Sequence, residues 1–215
     1  MVLFQSVCAL THLENEGLVN RRHGSGTWVN SVRPLVRSLH RNAGSDELIR
    51  SRGGTPGIAE MSWRQIPAPA VVAERLSLAP ETPVVNLYRV RTSDGVPVIV
   101  EYDYFPVSLL PRPYVTLGPS LYSFLSSVCG VDVTFGIANL EPGIIGTELA
   151  PVLGVDASAL CLIIRQVDYD ASERAVSYSV EYHLASAFDF QLVRQGPIPP
   201  GTRAMEVDGD KCQTT

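Results

Sequence analysis

No stretch of this sequence runs to 18 apolar residues, so a membrane-spanning helix is not expected. The opening, Met1 to Leu10, is apolar but has no basic start and runs into Thr11, His12 and Glu14, which argues against a secretory leader. Cysteine is scarce and scattered (Cys8, Cys129, Cys161, Cys212), without a CxxC pair, and the four histidines do not cluster. Neither a zinc site nor a disulfide framework fits that pattern. No metal or cofactor is therefore expected, and a reduced cytoplasm is the expected setting. No nucleophile–base pair has a spacing that marks a catalytic centre, so an enzyme is not the expectation. Lysine is nearly missing, with Lys211 the only one.

What is present is an ordinary globular composition. The 215 residues are 45% hydrophobic and 18% charged, enough for one sizeable core and a smaller extra piece. The net charge of −5 is uneven. Residues 1–52 carry seven arginines against four acids, and the remainder is acidic. A basic front on an acidic body suggests a segment that faces nucleic acid joined to a body with another task.

The chain is organised around one hairpin. Val85 to Arg91 and Val96 to Glu101 are β-rich runs flanking Asp94-Gly95, a strong hairpin signal. Strand side chains alternate, so Leu87, Arg89 and Arg91 share a face. Two arginines so placed either meet solvent or build an anion site. A two-residue loop pairs Arg89 with Val100; one extra loop residue or a bulge pairs it with Glu101 instead.

Ahead of the hairpin, Val7, Leu10 and Leu13 recur at helical spacing, and Gly17 can end that helix. Leu18 to Arg22 and Thr27 to Asn30 read as strands around a turn that holds His23, Gly24, Ser25 and Gly26. Helix, strand, turn and strand make the back half of a winged helix. Arg21, Arg22, His23 and Ser25 then lie at the wing, where they can reach phosphates. A solvated basic hairpin is the alternative. Residues 9–29, ALTHLENEGLVNRRHGSGTWV, resemble the end of the DNA-binding domain of GntR-type transcription regulators. That domain begins with two further helices and a polar, arginine-containing start to its recognition helix, whereas Leu3 to Val7 here is apolar. The likeness thus covers a partial winged helix-turn-helix, residues 1–30.

Residues 31–57 read as a connector, and the tail, 197–215, as disordered. From Ile58 the chain reads α+β, an antiparallel sheet with helices on one side. The second hairpin, Cys161 to Tyr169 with Val176 to His183, loosely repeats the first at an offset of 76, with Arg165 answering Arg89. Residues 58–196 resemble the UTRA domain, the effector-binding half of the HutC branch of GntR regulators. Pro67-Ala68-Pro69, Leu87-Tyr88-Arg89-Val90-Arg91, Asp94-Gly95, Glu101, Tyr104-Phe105-Pro106 and Ser120-Leu121-Tyr122 carry the likeness, in family order.

The resemblance implies a chorismate-lyase-like fold that binds a small effector and changes the spacing of paired DNA-binding heads. It implies a homodimer whose partners are operator DNA and a metabolite, with no membrane. The arginines, the glutamate and the helix-start serine of the pattern line the effector pocket, which implies the same of Arg89, Arg91, Glu101 and Ser120. Arginine's planar fork of donors suits phosphate or carboxylate, so an anionic effector is expected. The last hairpin departs from the family: Ser177 stands for a glutamate, His183 for a tyrosine, and Leu184 to Ala187 for R-G-D-R. Ser177 and His183 therefore suit a different polar ligand. Two other readings stay open, a DNA-free sensor or dimerisation partner, and a chorismate-lyase-like enzyme.

Overall fold

The computed structural model describes residues 44–111, 120–188 and 190 with their side chains, and 19–22 and 26–29 as backbone. The first two strands, β1 (Val19–Arg22) and β2 (Gly26–Val29), pair antiparallel as a separate hairpin, with Arg21 opposite Thr27 and Arg22 opposite Gly26. His23, Ser25, the helix expected near Val7 to Leu13 and the tail from 197 lie outside the described residues.

The body is one six-stranded antiparallel sheet. Its strands are β3 (Pro56–Pro67), β4 (Pro83–Ser93), β5 (Val96–Pro106), β6 (Phe135–Ile144), β7 (Leu160–Tyr169) and β8 (Ala175–Leu184), ordered β3-β4-β5-β8-β7-β6. Among the described residues four short α-helices accompany them, α1 (Ser45–Ser51), α2 (Ala70–Arg75), α3 (Leu121–Ser127) and α4 (Gly146–Leu153), with a 3-10 turn at Val107–Leu109. Their ends follow local chemistry. Pro69, at φ −54°, precedes α2; the Ser120 hydroxyl accepts a hydrogen bond from the Ser123 amide and caps α3; Gly154, at φ +65°, closes α4.

Chain order gives two similar halves, β3-α2-β4-β5 and β6-α4-β7-β8, joined where β5 pairs β8. The offset of 76 does not carry side chains across, however. Arg89 faces Glu101, whereas Arg165 faces Val180 rather than Ser177. That three-residue slip is odd, and an odd slip turns a side chain to the other face of a sheet.

The helices cover both faces, not one. On one face, α2 sets Val72 and Leu76 against Val84, Val167 and Val180, while α4 sets Leu149 and Leu153 against Val100, Cys161 and Leu184. On the other, α3 packs Leu121, Phe124 and Leu125 on Val85, Leu87 and Phe105, and α1 packs Ile49 on Val98 and Ile99. The reason lies in β4, which is buried at nearly every position from Val84 to Thr92. A strand apolar on both sides needs cover on both sides.

The central hairpin settles its own register. Asp94 and Gly95 have φ of +52° and +83°, the two positive values a type I′ turn requires. Arg91 then pairs with Ile99 while Thr92 pairs with Pro97, which leaves Val98 as a bulge. That extra residue places Arg89 opposite Glu101.

Candidate functional site

Leu87, Arg89 and Arg91 do share one face of β4, and it is an interior one: Arg89 is 4% exposed and Arg91 3%. Solvation is therefore excluded as the reason for two adjacent arginines. Their partners come from two elements, β5 and α1. Arg89 Nη2 lies 2.6 Å from Asp103 Oδ2 and 2.9 Å from Glu101 Oε2. Arg91 Nε lies 3.0 Å from the same Glu101 oxygen, and its Nη1 lies 3.0 Å from Asp46 Oδ1 on α1. The other Glu101 oxygen accepts a hydrogen bond from the Ser45 hydroxyl. One fully buried carboxylate thus bridges both guanidinium groups and the start of α1.

Burial works to raise the pKa of Glu101, but Arg89, Arg91 and the Ser45 hydrogen bond outweigh it and hold the group below the usual carboxylate range. Asp103 goes the other way. Burial, reinforced by the charges of Glu101 and Glu181 against the pull of Arg89, raises it to about 7. Burial alone would lower the Arg89 pKa, but Asp103 and Glu101 raise it instead.

The strip continues onto β8. Glu181 pairs across from Glu101, and His183 across from Ile99. His183 is 1% exposed, its Nε2 is 2.8 Å from Glu181 Oε2, and its ring meets Phe188 and Phe190 edge-on at 5.3 and 5.5 Å. Its Nδ1 is buried without a partner among the described residues. A proton there would be an unmet donor, so the favoured tautomer places it on Nε2, which donates to Glu181.

Ser177 belongs to a second polar group further down the same face. Its hydroxyl donates to Asp168 Oδ2 at 2.7 Å, and Gln166 Nε2 lies 2.6 Å from Asp168 Oδ1 and 3.0 Å from the Tyr122 hydroxyl. Four residues of strand separate Ser177 from Glu181, ~13 Å. Ser120 enters only as the cap of the helix that carries Tyr122. The structure therefore brings Arg89, Arg91 and Glu101 into contact, sets the His183–Glu181 pair beside them on β8, and places Ser177 with the Ser120 helix apart.

Sequence reasoning missed Asp46, Asp103 and Glu181. Two of the three were signalled by alternation, because Asp103 lies two residues beyond Glu101, and Glu181 two before His183. Asp46 had no local signal: α1 falls within 31–57, the stretch expected as a connector.

Chemically, the arginines are already matched by carboxylates. An incoming anion has to displace one, and the accessible one is Asp46, whose side chain is 29% exposed against 2% for Glu101. No group of three or more potential metal ligands occurs among the described residues.

Residues 51–189 match the UTRA domain family. The chain is 25% identical over 183 residues to the HTH-type transcriptional repressor NagR of Bacillus subtilis, covering 85% of this chain and 75% of the relative. It is 29% identical over 187 residues to the HTH-type transcriptional repressor PhnF of Mycolicibacterium smegmatis, covering 86% and 75%. The crystal structure of PhnF from Mycobacterium smegmatis superposes with a TM-score of 0.67 at 27% identity, covering 88% of this chain and 83% of that one. The match over residues 51–189, the six-stranded fold and relatives that are transcription regulators along most of the chain agree: the chain belongs to the UTRA-domain family of GntR-type transcriptional regulators.

Proposed function

We propose that this protein is a cytoplasmic, homodimeric transcriptional repressor of the HutC branch, whose hold on operator DNA is set by a small anionic effector bound on the buried face of the sheet. The observation that carries the reading is the Arg91–Asp46 ion pair, which ties the effector site to α1, the first described element after the β1–β2 hairpin. In this reading Arg91 and Arg89 bind the effector's anionic group, Glu101 holds both guanidinium groups in place, and His183 borders the pocket. Ser177 and Ser120 serve its far end, with the Asp168 group. The effector's anion takes the place of Asp46 on Arg91. That releases the start of α1 and passes binding on to the DNA-binding segment, where Arg21, Arg22, His23 and Ser25 of the β1–β2 hairpin region meet the phosphates. That NagR and PhnF are transcriptional repressors supports this assignment. So does the engagement of its acids with arginines, which suits the site to holding a ligand.

The test is thermal unfolding of the chain against small phosphates, phosphonates and carboxylates, beside an Arg91→Ala variant. A ligand selective for the folded state raises the midpoint. A rise for one class of anion that is lost in Arg91→Ala supports the site. The ligand is then added to a binding assay with duplexes selected from a random pool, where it lowers affinity. Absence of any anion-induced rise in a cooperatively unfolding protein would falsify the site assignment.

A further inference from the structure

Of the carboxylates on the site face, Glu181 is the one beyond ion-pair distance of Arg89 and Arg91, and Asp46 also meets Arg50 at 3.5 Å. Among the described residues, β4, β5 and β8 present Arg89 and Arg91 on this face against Glu101, Asp103 and Glu181, with Asp46 above them on α1. Glu101, Asp103 and Asp46 are the carboxylates within ion-pair distance of the guanidinium groups. Glu181 is held by His183. That contact joins the imidazole Nε2 to Glu181 Oε2 at 2.8 Å. Packing of the ring against Phe188 and Phe190 in turn fixes where that carboxylate lies. At 23% exposure its side chain is far more open than those of Glu101 and Asp103, and it lies beside half-buried Ile164 on β7.

We propose that Glu181 is a specificity-determining residue of the effector site, and that the effector is a small zwitterion. Its anionic head binds Arg91 in place of Asp46, and its ammonium group binds Glu181. The inference rests on the arginine site proposed above. Arg91 and Glu181 stand two strands apart and two residues out of register, ~12 Å between backbones, a span that both side chains shorten to a few heavy atoms between the ligand's charges. A plain anion makes no ion pair with Glu181; a zwitterion does, and the charge-assisted hydrogen bonds at both ends fix its orientation.

The experiment uses matched pairs: ω-amino acids of three to six carbons against the corresponding alkanoates, and ω-aminoalkyl phosphates against alkyl phosphates. Dissociation constants are measured by calorimetry on the wild-type chain, Glu181→Gln and Glu181→Lys. At least one amino compound should bind the wild type about tenfold or more tightly than its partner. That ratio should fall to near one in Glu181→Gln and invert in Glu181→Lys, while the des-amino compound keeps its affinity for Glu181→Gln. Equal binding of both members by the wild type overturns the inference and leaves the anion site standing. So does an amino preference that survives Glu181→Gln. Binding of neither member overturns both. The wild-type ratio needs no variant, so a substitution that fails to fold does not rescue the proposal.

Discussion

Glu101 is the residue on which the buried cluster turns. It bridges two guanidinium groups and takes a hydrogen bond from α1, all out of contact with water. Removing one partner of a buried ionic group strands the others, which costs about 3–5 kcal/mol. Glu101→Gln keeps the shape and removes the charge, so a loss of that size in urea titrations is expected. Asp103 supplies a pH signature. Its carboxyl keeps its proton up to about pH 7 in the folded chain, whereas an ordinary aspartate ionises near pH 4. Between those values the folded state binds the extra proton, so this group makes stability fall as pH rises from about 4 to about 7. Asp103→Asn removes that slope. The stability of the variant relative to the parent should climb between pH 5 and pH 8, and a difference flat with pH would mean that Asp103 does not titrate in this range. At this scale the sequence was partly legible. Alternation alone placed Arg89 and Arg91 on one face and would have added Asp103 and Glu181. That the face is buried was not legible, because burial depends on α1 and α3, which arrive from distant parts of the chain.

Among the elements, α1 is the one whose hold on the sheet can change. It is seven residues long, tied by Asp46 to Arg91 and by Ser45 to Glu101, and packed through Ile49 on Ile99. Asp46 is partly exposed, so its ion pair is worth ~1 kcal/mol, or about fivefold in a local opening equilibrium. In Asp46→Ala, amide hydrogen exchange within residues 45–51 should quicken by about that factor while β4 and β5 keep their protection. Unchanged exchange in α1 would show that its packing, not the ion pair, holds it. The central hairpin shows what an element's sequence can and cannot tell. Asp94-Gly95 announced the turn, but the register hung on the bulge at Val98, a residue that packs with Ile49, Ile99 and Phe188. The helix-capping role of Ser120 was local chemistry and could be read directly.

For the whole molecule, the strands of the two halves join across β5 and β8, a seam that runs from the Ile99–His183 pair to the Tyr104–Tyr178 pair, and α2 and α4 each pack across it. One cooperative transition is therefore expected. Fluorescence of Trp63 on β3, followed in a Trp28→Phe background, should unfold at the same urea midpoint as far-ultraviolet circular dichroism. Separate midpoints would mean that the halves come apart singly. Fold class was legible here because it rests on hairpin and helix signals spread along the chain. The second helical layer was not foreseen, although the nearly unbroken burial of β4 is its mark in hindsight. That two-sided cover has an evolutionary reading. Along β4, β5 and β8, residues 89, 91, 101, 103, 181 and 183 form the polar floor of the face proposed to bind the effector, while neighbours such as Val84, Val100 and Val180 form the hydrophobic layer beneath α2 and α4. Every second codon of these strands can thus drift toward a new ligand while the codons between preserve the scaffold, and a library confined to the six floor positions is where a sensor of altered chemistry should be sought.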